Sequence, residues 1–193
     1  MTRAAGIVML AVFLFTGHEA WAQERRLTAG VDVGAATTWD DEGMLGRGSA
    51  IAGNMAVAIN DRTTVRGVFD RVPYYRDTSW LRFDGSFDFF GAELERRFRR
   101  GTVQPFIVGG GGFVRFSDVW IQKTGGGPLL PGTEALFSRS GTFGAAVAGT
   151  GLDIAISPRI SIRPNLKVYM MGPDNDLYPA LSVRPGVGLT MRW

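Results

Sequence analysis

The chain of 193 residues has no cysteine, and its single histidine is His18. Without cysteine there are no disulfides, no catalytic thiol and no cysteine-based metal sites. His18 lies in an N-terminal segment that we expect to be removed, so the mature protein would also lack imidazole, a frequent general base and metal ligand. We therefore predict no catalytic residue, no metal site and no cofactor, and we predict that the protein is not an enzyme.

Long hydrophobic runs and a strong charge imbalance are missing too. After residue 22 the sequence has no apolar stretch of about 18 residues, which excludes a membrane protein built from helices. The formal net charge is +3, and this value is too small to indicate a nucleic-acid partner. Glycine is abundant, with 27 residues, but no collagen-like repeat accompanies it.

The first 22 residues have the pattern of a secretory signal peptide. Arg3 precedes a compact apolar run over residues 4–15, and residues 20–22 fit an A-x-A cleavage site. The run is shorter than the roughly 20 residues that a spanning helix needs, and an uncleaved N-terminal anchor is the alternative. We expect a signal peptide over residues 1–22 and one exported domain over residues 23–193.

The exported part alternates between apolar and polar residues in short stretches, which is the pattern of β-strands with two different faces. Eight such stretches run over residues 27–36, about 49–59, 63–72, 81–94, 103–116, about 140–156, 159–169 and 183–193. The connections after the second, fourth and sixth are short, whereas the others span residues 37–48, 73–80, 117–139 and 170–181. Short turns at one end and long loops at the other are typical of transmembrane β-barrels.

The last stretch alternates between apolar and polar residues and ends on an aromatic residue, Trp193. It resembles the closing strand of bacterial outer-membrane β-barrels, in which this segment is the signal that the barrel-assembly machinery reads. The resemblance implies a membrane-insertion signal on the apolar face of the stretch. Its members would be Val187, Leu189, Met191 and Trp193.

Two internal stretches extend this resemblance to the OmpA-type barrels. Residues 103–113 resemble their glycine-rich fifth strand, and residues 149–169 resemble their sixth strand, turn and seventh strand. The resemblance covers residues 27–193. It implies an all-β fold, an eight-stranded antiparallel up-and-down transmembrane β-barrel preceded by a cleavable signal peptide, located in the outer membrane. Outer-membrane lipid and lipopolysaccharide would surround the barrel.

In a membrane-spanning barrel the apolar face of each strand meets lipid and the polar face lines the lumen. For the fourth stretch this rule places Phe83, Phe87 and Phe89 against lipid. An eight-stranded barrel has room for little more than its own side chains, and buried charges need partners, so we predict a lumen plugged by ion pairs. The predicted network comprises Asp32, Arg66, Asp70, Arg82, Asp84, Asp88, Arg115, Asp153, Arg163, Lys167, Arg184 and Arg192.

Aromatic residues cluster where the stretches meet the long loops. Amphipathic rings prefer the headgroup level of a membrane, so this clustering predicts an aromatic belt. Ordinary core aromatics of a soluble β-protein are the alternative. The predicted belt comprises Trp39, Tyr74, Tyr75, Trp80, Trp120, Tyr169 and Tyr178.

These patterns favour a structural or surface-interaction role for an outer-membrane barrel. The long connection over residues 117–139 is the first candidate for contact with a surface or host partner, because it combines glycine with apolar residues. Two alternatives remain open. A narrow polar path through the lumen would make the protein a porin-like channel for ions or small solutes. A soluble lipocalin-like barrel would point its apolar face inward and bind a ligand there.

Overall fold

The computed structural model describes residues 27–40, 43–78, 81–98, 101–122, 135–172 and 180–193, and the expected signal peptide lies outside these ranges. The regular structure of the described residues consists of eight strands. They are β1 (Leu27–Asp40), β2 (Gly43–Asn60), β3 (Thr63–Asp77), β4 (Leu81–Arg97), β5 (Val103–Gln122), β6 (Ala135–Ala155), β7 (Ile160–Met171) and β8 (Leu181–Arg192). Over the same ranges, none of the structure is a helix long and apolar enough to cross a membrane.

The strands form a closed barrel in chain order, β1 to β8. Every neighbouring pair is antiparallel, and β8 closes the ring against β1 with Thr28 opposite Arg192 and Trp39 opposite Leu181. Closure removes the unpaired sheet edges that a flat sheet would leave. The predicted eight-stranded antiparallel up-and-down barrel is confirmed.

Side chains build the tight turns at one end of the barrel, which we call the short-turn end. The side-chain oxygen of Asn60 accepts hydrogen bonds from the backbone N–H groups of Arg62 (3.0 Å) and Thr63 (2.9 Å). The Ser157 hydroxyl accepts in the same way from Ile160 at 3.0 Å. Gly101, with φ of +137°, holds a conformation that favours glycine. The predicted short turns after the second and sixth strands therefore have a local cause.

At the opposite end, which we call the long-loop end, the strands extend farther than the sequence predicts. Residues 37–48 were expected to form a loop, but β1 continues to Asp40 and β2 begins at Gly43. Similarly, β5 reaches Gln122 and β6 begins at Ala135. About 9–11 tilted residues cross a bilayer, whereas β6 has 21. The wall of the barrel is therefore taller than a membrane crossing requires.

The outer face of β1, β2, β3, β7 and β8 carries the apolar residues that the alternation predicts. Val31 and Ile51 point outward, and Leu189 is 51% exposed. The polar residues between them point inward, including Asp32 on β1 and Arg163 on β7. A barrel with an apolar outside and a polar inside is suited to lipid.

The predicted facing of β4 is wrong over its first half. Phe83, Phe87 and Phe89 are buried inside the barrel, with Phe87 and Phe89 at 0% exposure, while Asp84 and Asp88 lie on the outer surface. The side chains of β4 continue to alternate between inside and outside, but the face that carries the apolar residues changes at Phe89 and Phe90. Phe89 is the last of the inward phenylalanines, and Phe90 points outward. Toward the long-loop end the inner face is apolar, and toward the short-turn end the outer face is apolar.

The same inversion corrects the placement of Arg82 and Arg115. Both were predicted to face the lumen, but both are exposed on the outer surface. On β5 the interior at this height is filled by Val114 and Phe116, which are 0% and 1% exposed. Arg115 lies between these two residues in sequence, so the pleat of the strand turns it outward.

Candidate functional site in the barrel interior

Ion pairs fill the barrel interior toward the short-turn end, and Glu95 lies at their centre. Its carboxylate accepts hydrogen bonds from the guanidinium groups of Arg66 and Arg163. Arg97 donates to the same carboxylate through Nε at 2.9 Å. The Glu95 side chain is 0% exposed. One buried carboxylate is thus shared among three arginines.

Asp153 continues this set of contacts across the lumen. Its Oδ2 atom lies 2.6 Å from Arg192 Nη2, 3.5 Å from Arg97 Nη2 and 3.9 Å from Arg163 Nη1. Arg97 and Arg163 therefore join Glu95 to Asp153. We refer to Arg66, Glu95, Arg97, Asp153, Arg163 and Arg192 as the ionic layer.

A second polar group adjoins the ionic layer near the middle of the barrel. Lys167 Nζ lies 2.5 Å from Glu93 Oε1. Asp32 accepts hydrogen bonds from Asn54 Nδ2 at 3.1 Å and from Asn165 Nδ2 at 2.7 Å. Asp32, Glu93, Asn165 and Lys167 line a cavity of about 10 Å³, roughly the room that one water molecule needs.

Aromatic rings fill the interior toward the long-loop end. The Tyr169 ring lies 5.9 Å from Phe87 and 5.2 Å from Phe89, in edge-to-face geometry. Tyr74 stacks on Phe83 at 5.7 Å. Such pairs stabilise a core beyond the burial of their area. We refer to Tyr74, Phe83, Phe87, Phe89, Phe116 and Tyr169 as the aromatic layer.

The polar atoms of the aromatic layer are paired with buried carboxylates. The Tyr74 hydroxyl donates to Asp118, which also accepts from Arg139 Nε at 3.1 Å. The Tyr169 hydroxyl donates to Asp70. Arg184 Nη1 lies 3.3 Å from Asp70 Oδ2, and both side chains are 0% exposed. Burial of a charge is costly unless it has such partners.

The structure brings most of the predicted lumen residues together inside the barrel. Those placed inside are Asp32, Arg66, Asp70, Asp153, Arg163, Lys167, Arg184 and Arg192. Glu93, Glu95 and Asp118 are buried acids that the prediction omitted. The signal for two of them was present, since Glu93 and Glu95 flank the outward-facing Leu94 on the same strand.

The aromatic belt is wrong for three of its members. Tyr74 and Tyr169 are buried in the interior, and Trp120 packs against the buried core with the Arg139 guanidinium 4.7 Å from its ring centroid. The two tyrosine hydroxyls are satisfied by Asp118 and Asp70 rather than by headgroups. Tyr75 does lie on the outer surface, and Trp39 is half-buried. Trp80 and Tyr178 lie outside the described residues.

The residues of the predicted insertion signal share the outer face of the closing strand. Val187, Leu189, Met191 and Trp193 are each about half exposed there.

Over the described ranges, no group of three or more acidic, histidine or cysteine side chains is arranged to hold a metal ion. The described side chains of the interior form ion pairs and ring contacts.

The sequence matches no known family profile and no curated protein. Solved structures do resemble the barrel. The Neisserial surface protein A shares 17% identity, with 86% of this chain and 97% of that chain covered and a TM-score of 0.64. Ail, the attachment invasion locus protein of Yersinia pestis, shares 14%, with coverages of 89% and 100% and a TM-score of 0.57. A major outer membrane protein from Thermus thermophilus shares 12%, with coverages of 86% and 99% and a TM-score of 0.59.

The chain has the fold of the eight-stranded outer-membrane β-barrels. The resemblance to the OmpA-type barrels that the sequence predicts is thus confirmed in its architecture. This outer-membrane barrel fold accounts for the apolar exterior near the short-turn end. Sequence identities of 12 to 17% together with these TM-scores support a shared fold but do not assign an activity.

Proposed function

We propose that the protein is an integral outer-membrane barrel with a structural and surface-interaction role, without enzymatic activity and with a closed lumen. One observation carries this proposal. The interior contains two successive layers of buried side chains, the ionic layer toward the short-turn end and the aromatic layer toward the long-loop end. An ion that crossed the barrel would have to displace both.

The two layers oppose passage in different ways. The ionic layer supplies fixed charges that already satisfy one another, as Glu95 does with Arg66, Arg97 and Arg163. The aromatic layer presents uncharged rings, and its two tyrosine hydroxyls already donate to Asp118 and Asp70. Rings replace the hydration of an ion poorly, and desolvating an ion is expensive. This arrangement favours the plugged lumen over the porin-like channel.

Recordings in planar bilayers test the closed lumen. We expect the refolded barrel to insert without producing a stable, reproducible conductance, because neither layer leaves a continuous aqueous path. A porin added to the same bilayer serves as the positive control for insertion. Heat-modifiable migration on a gel verifies that the recorded sample is folded. A reproducible single-channel step from the folded fraction would contradict the proposal.

We further propose that the long-loop end contacts a partner outside the cell. The β5–β6 hairpin supports this, because β5 and β6 have 20 and 21 residues whereas β7 and β8 have 12 each. β6 pairs with β7 only from Ala145 onward, so the hairpin extends beyond its neighbour. Ail, which shares this fold, has been solved in complex with the heparin analogue sucrose octasulfate. Surface binding by such a barrel is thus chemically reasonable.

The outer face of β8 supports its proposed role as an insertion signal for the barrel-assembly machinery. Replacing Trp193 by alanine is expected to lower the yield of folded barrel in outer membranes severalfold, because it removes the last apolar side chain of that face. The folded fraction is measured from heat-modifiable migration. Phe98→Ala is the matched control, since Phe98 is an exposed aromatic at the same end, at 56% against 59% for Trp193. Equal yields for the two variants would contradict a specific signal.

Export through a cleaved signal peptide over residues 1–22 belongs to the same proposal. Its support is the charged start, the short apolar run and the A-x-A pattern of the sequence. The intact mass of protein purified from outer membranes should correspond to a chain that begins at Gln23.

A further inference from the structure

The outer surface of β3, β4 and β5 changes from apolar to charged within one step of the pleat. Phe69, Phe90 and Phe113 lie side by side in register, and we call them the apolar row. Two residues farther toward the long-loop end, a second set in register forms what we call the charged row. Its members are Arg71, Asp88 and Arg115.

The position of the charged row matches the boundary of a hydrocarbon layer. The apolar row is outward-facing, with Phe113 at 66% exposure, and the Phe69 and Phe90 rings lie 4.9 Å apart. Two residues along a strand span about 7 Å, less in height when the strand is tilted. The guanidinium groups therefore lie farther toward the long-loop end than the apolar row, and we place the lipid headgroups at this level.

The charged row has more positive than negative charge. Arg71 Nη1 lies 3.8 Å from Asp88 Oδ1, and the Arg71 side chain remains 56% exposed. Arg115 is exposed on the other side of Asp88 and makes no ion pair with the acids in the described part of the chain. Arg71 and Arg115 are two strands apart, or about 10 Å between backbones, so two long arginine side chains can reach one group between them. Thr142, the register neighbour of Arg115, adds a hydroxyl.

We propose that Arg71 and Arg115 together bind a phosphate group of a lipopolysaccharide molecule in the outer leaflet, whose acyl chains pack against the apolar row. This inference rests on the proposed outer-membrane location. Arginine suits the site because its planar donors bind phosphate oxygens in pairs. The long-loop end faces outward, so the lipid at this height is the phosphate-bearing glycolipid of the outer surface.

The test compares two double variants of the refolded full-length barrel in detergent. R71Q/R115Q removes the proposed site, and R62Q/R96Q removes two exposed arginines at the short-turn end. Binding of purified lipopolysaccharide is measured by titration and by native mass spectrometry of the retained lipid. We expect R71Q/R115Q to bind about tenfold more weakly than wild type and R62Q/R96Q to bind as wild type does. Dephosphorylated lipopolysaccharide should bind wild type as weakly as R71Q/R115Q binds the intact lipid.

Several results would overturn the inference. Equal losses in both double variants would indicate general charge attraction, and unchanged binding after dephosphorylation would exclude a phosphate contact. Displacement by millimolar inorganic phosphate, or equal affinity for phosphatidylglycerol vesicles, would show that the lipopolysaccharide headgroup is not selected. Cell fractionation of wild type tests the outer-membrane location separately. If the barrel fractionates with outer membranes but does not prefer lipopolysaccharide, the phosphate site is contradicted and the proposed location is not.

Discussion

Replacing Glu95 by glutamine is expected to lower the free energy of unfolding by about 3–5 kcal/mol, because it leaves several buried cations without their shared anion. Arg66 and Arg163 have side chains only 6% and 4% exposed, and Arg97 donates to the same carboxylate. Glutamine preserves the shape of the side chain, so the loss measures charge rather than packing. The measurement is urea-induced unfolding of the barrel in lipid vesicles, followed by tryptophan fluorescence and by heat-modifiable migration.

Asp84→Asn is the matched control for Glu95→Gln. Asp84 lies on the same strand and pairs with Arg82 at 3.0 Å, but on the outer surface with 44% of its side chain exposed. Exposed pairs contribute about 0–1 kcal/mol, so this variant should unfold almost as wild type does. Similar losses of unfolding free energy in the two variants would contradict the burial of Glu95 as the anion that neutralises the arginines of the ionic layer.

Replacing Phe87 by alanine is expected to cost about 3–5 kcal/mol of unfolding free energy, because it opens a cavity in the aromatic layer. Phe87 is 0% exposed and lies 5.9 Å from Tyr169 and 6.4 Å from Tyr74. Neighbouring rings are held by the barrel wall and can close the space only in part. Urea unfolding in the same vesicles gives the value.

Phe90→Ala tests the facing of β4 directly. Phe90 lies three residues from Phe87 on the same strand, but it points outward and is 52% exposed. Lipid chains can fill the space that its ring leaves, so the expected loss is less than half of that for Phe87→Ala. A larger loss for Phe90→Ala than for Phe87→Ala would mean that the inner and outer faces of β4 have been exchanged.

The sequence predicts the number, order and pairing direction of the strands because their alternation is regular and their turns are marked. It also predicts the facing of β1, β2, β3, β7 and β8, whose apolar residues stay outside along most of their length. It fails for the facing of β4 and β5, because alternation shows that the two faces of a strand differ in polarity but does not show which face points into the barrel. At Phe89 and Phe90 the two faces still differ in polarity, but the apolar residues pass from the inner face to the outer face.

The connection over residues 37–48 shows a second limit of the sequence. Gly46 and Gly48 were interpreted as loop residues, yet both lie in β2. A Cβ atom at Gly46 would come within 2.8 Å of the Tyr75 backbone, and one at Gly48 would overlap the carbonyl of Pro73. These glycines allow close contact between two strands. Composition alone does not separate that use of glycine from a loop.

The partners of the buried charges depend on the closed barrel rather than on local sequence. Glu95 is on β4 and Arg163 is on β7, and their hydrogen bond joins residues 68 positions apart. Sequence alternation can place each residue inside the wall. It does not specify which acid meets which base across the lumen, because that depends on how the strands are staggered around the ring.

The inversion at Phe89 and Phe90 also sets how deeply the protein is immersed. Sinking by one pleat would carry Arg71, Asp88 and Arg115 into hydrocarbon, where the penalty for a charge grows with depth. Rising by the same distance would lift Phe69, Phe90 and Phe113 into water. A thinner or thicker bilayer should therefore deform around this barrel instead of letting it slide. The vertical position of the protein is thus fixed where the apolar row meets the charged row on the outer face of β3, β4 and β5.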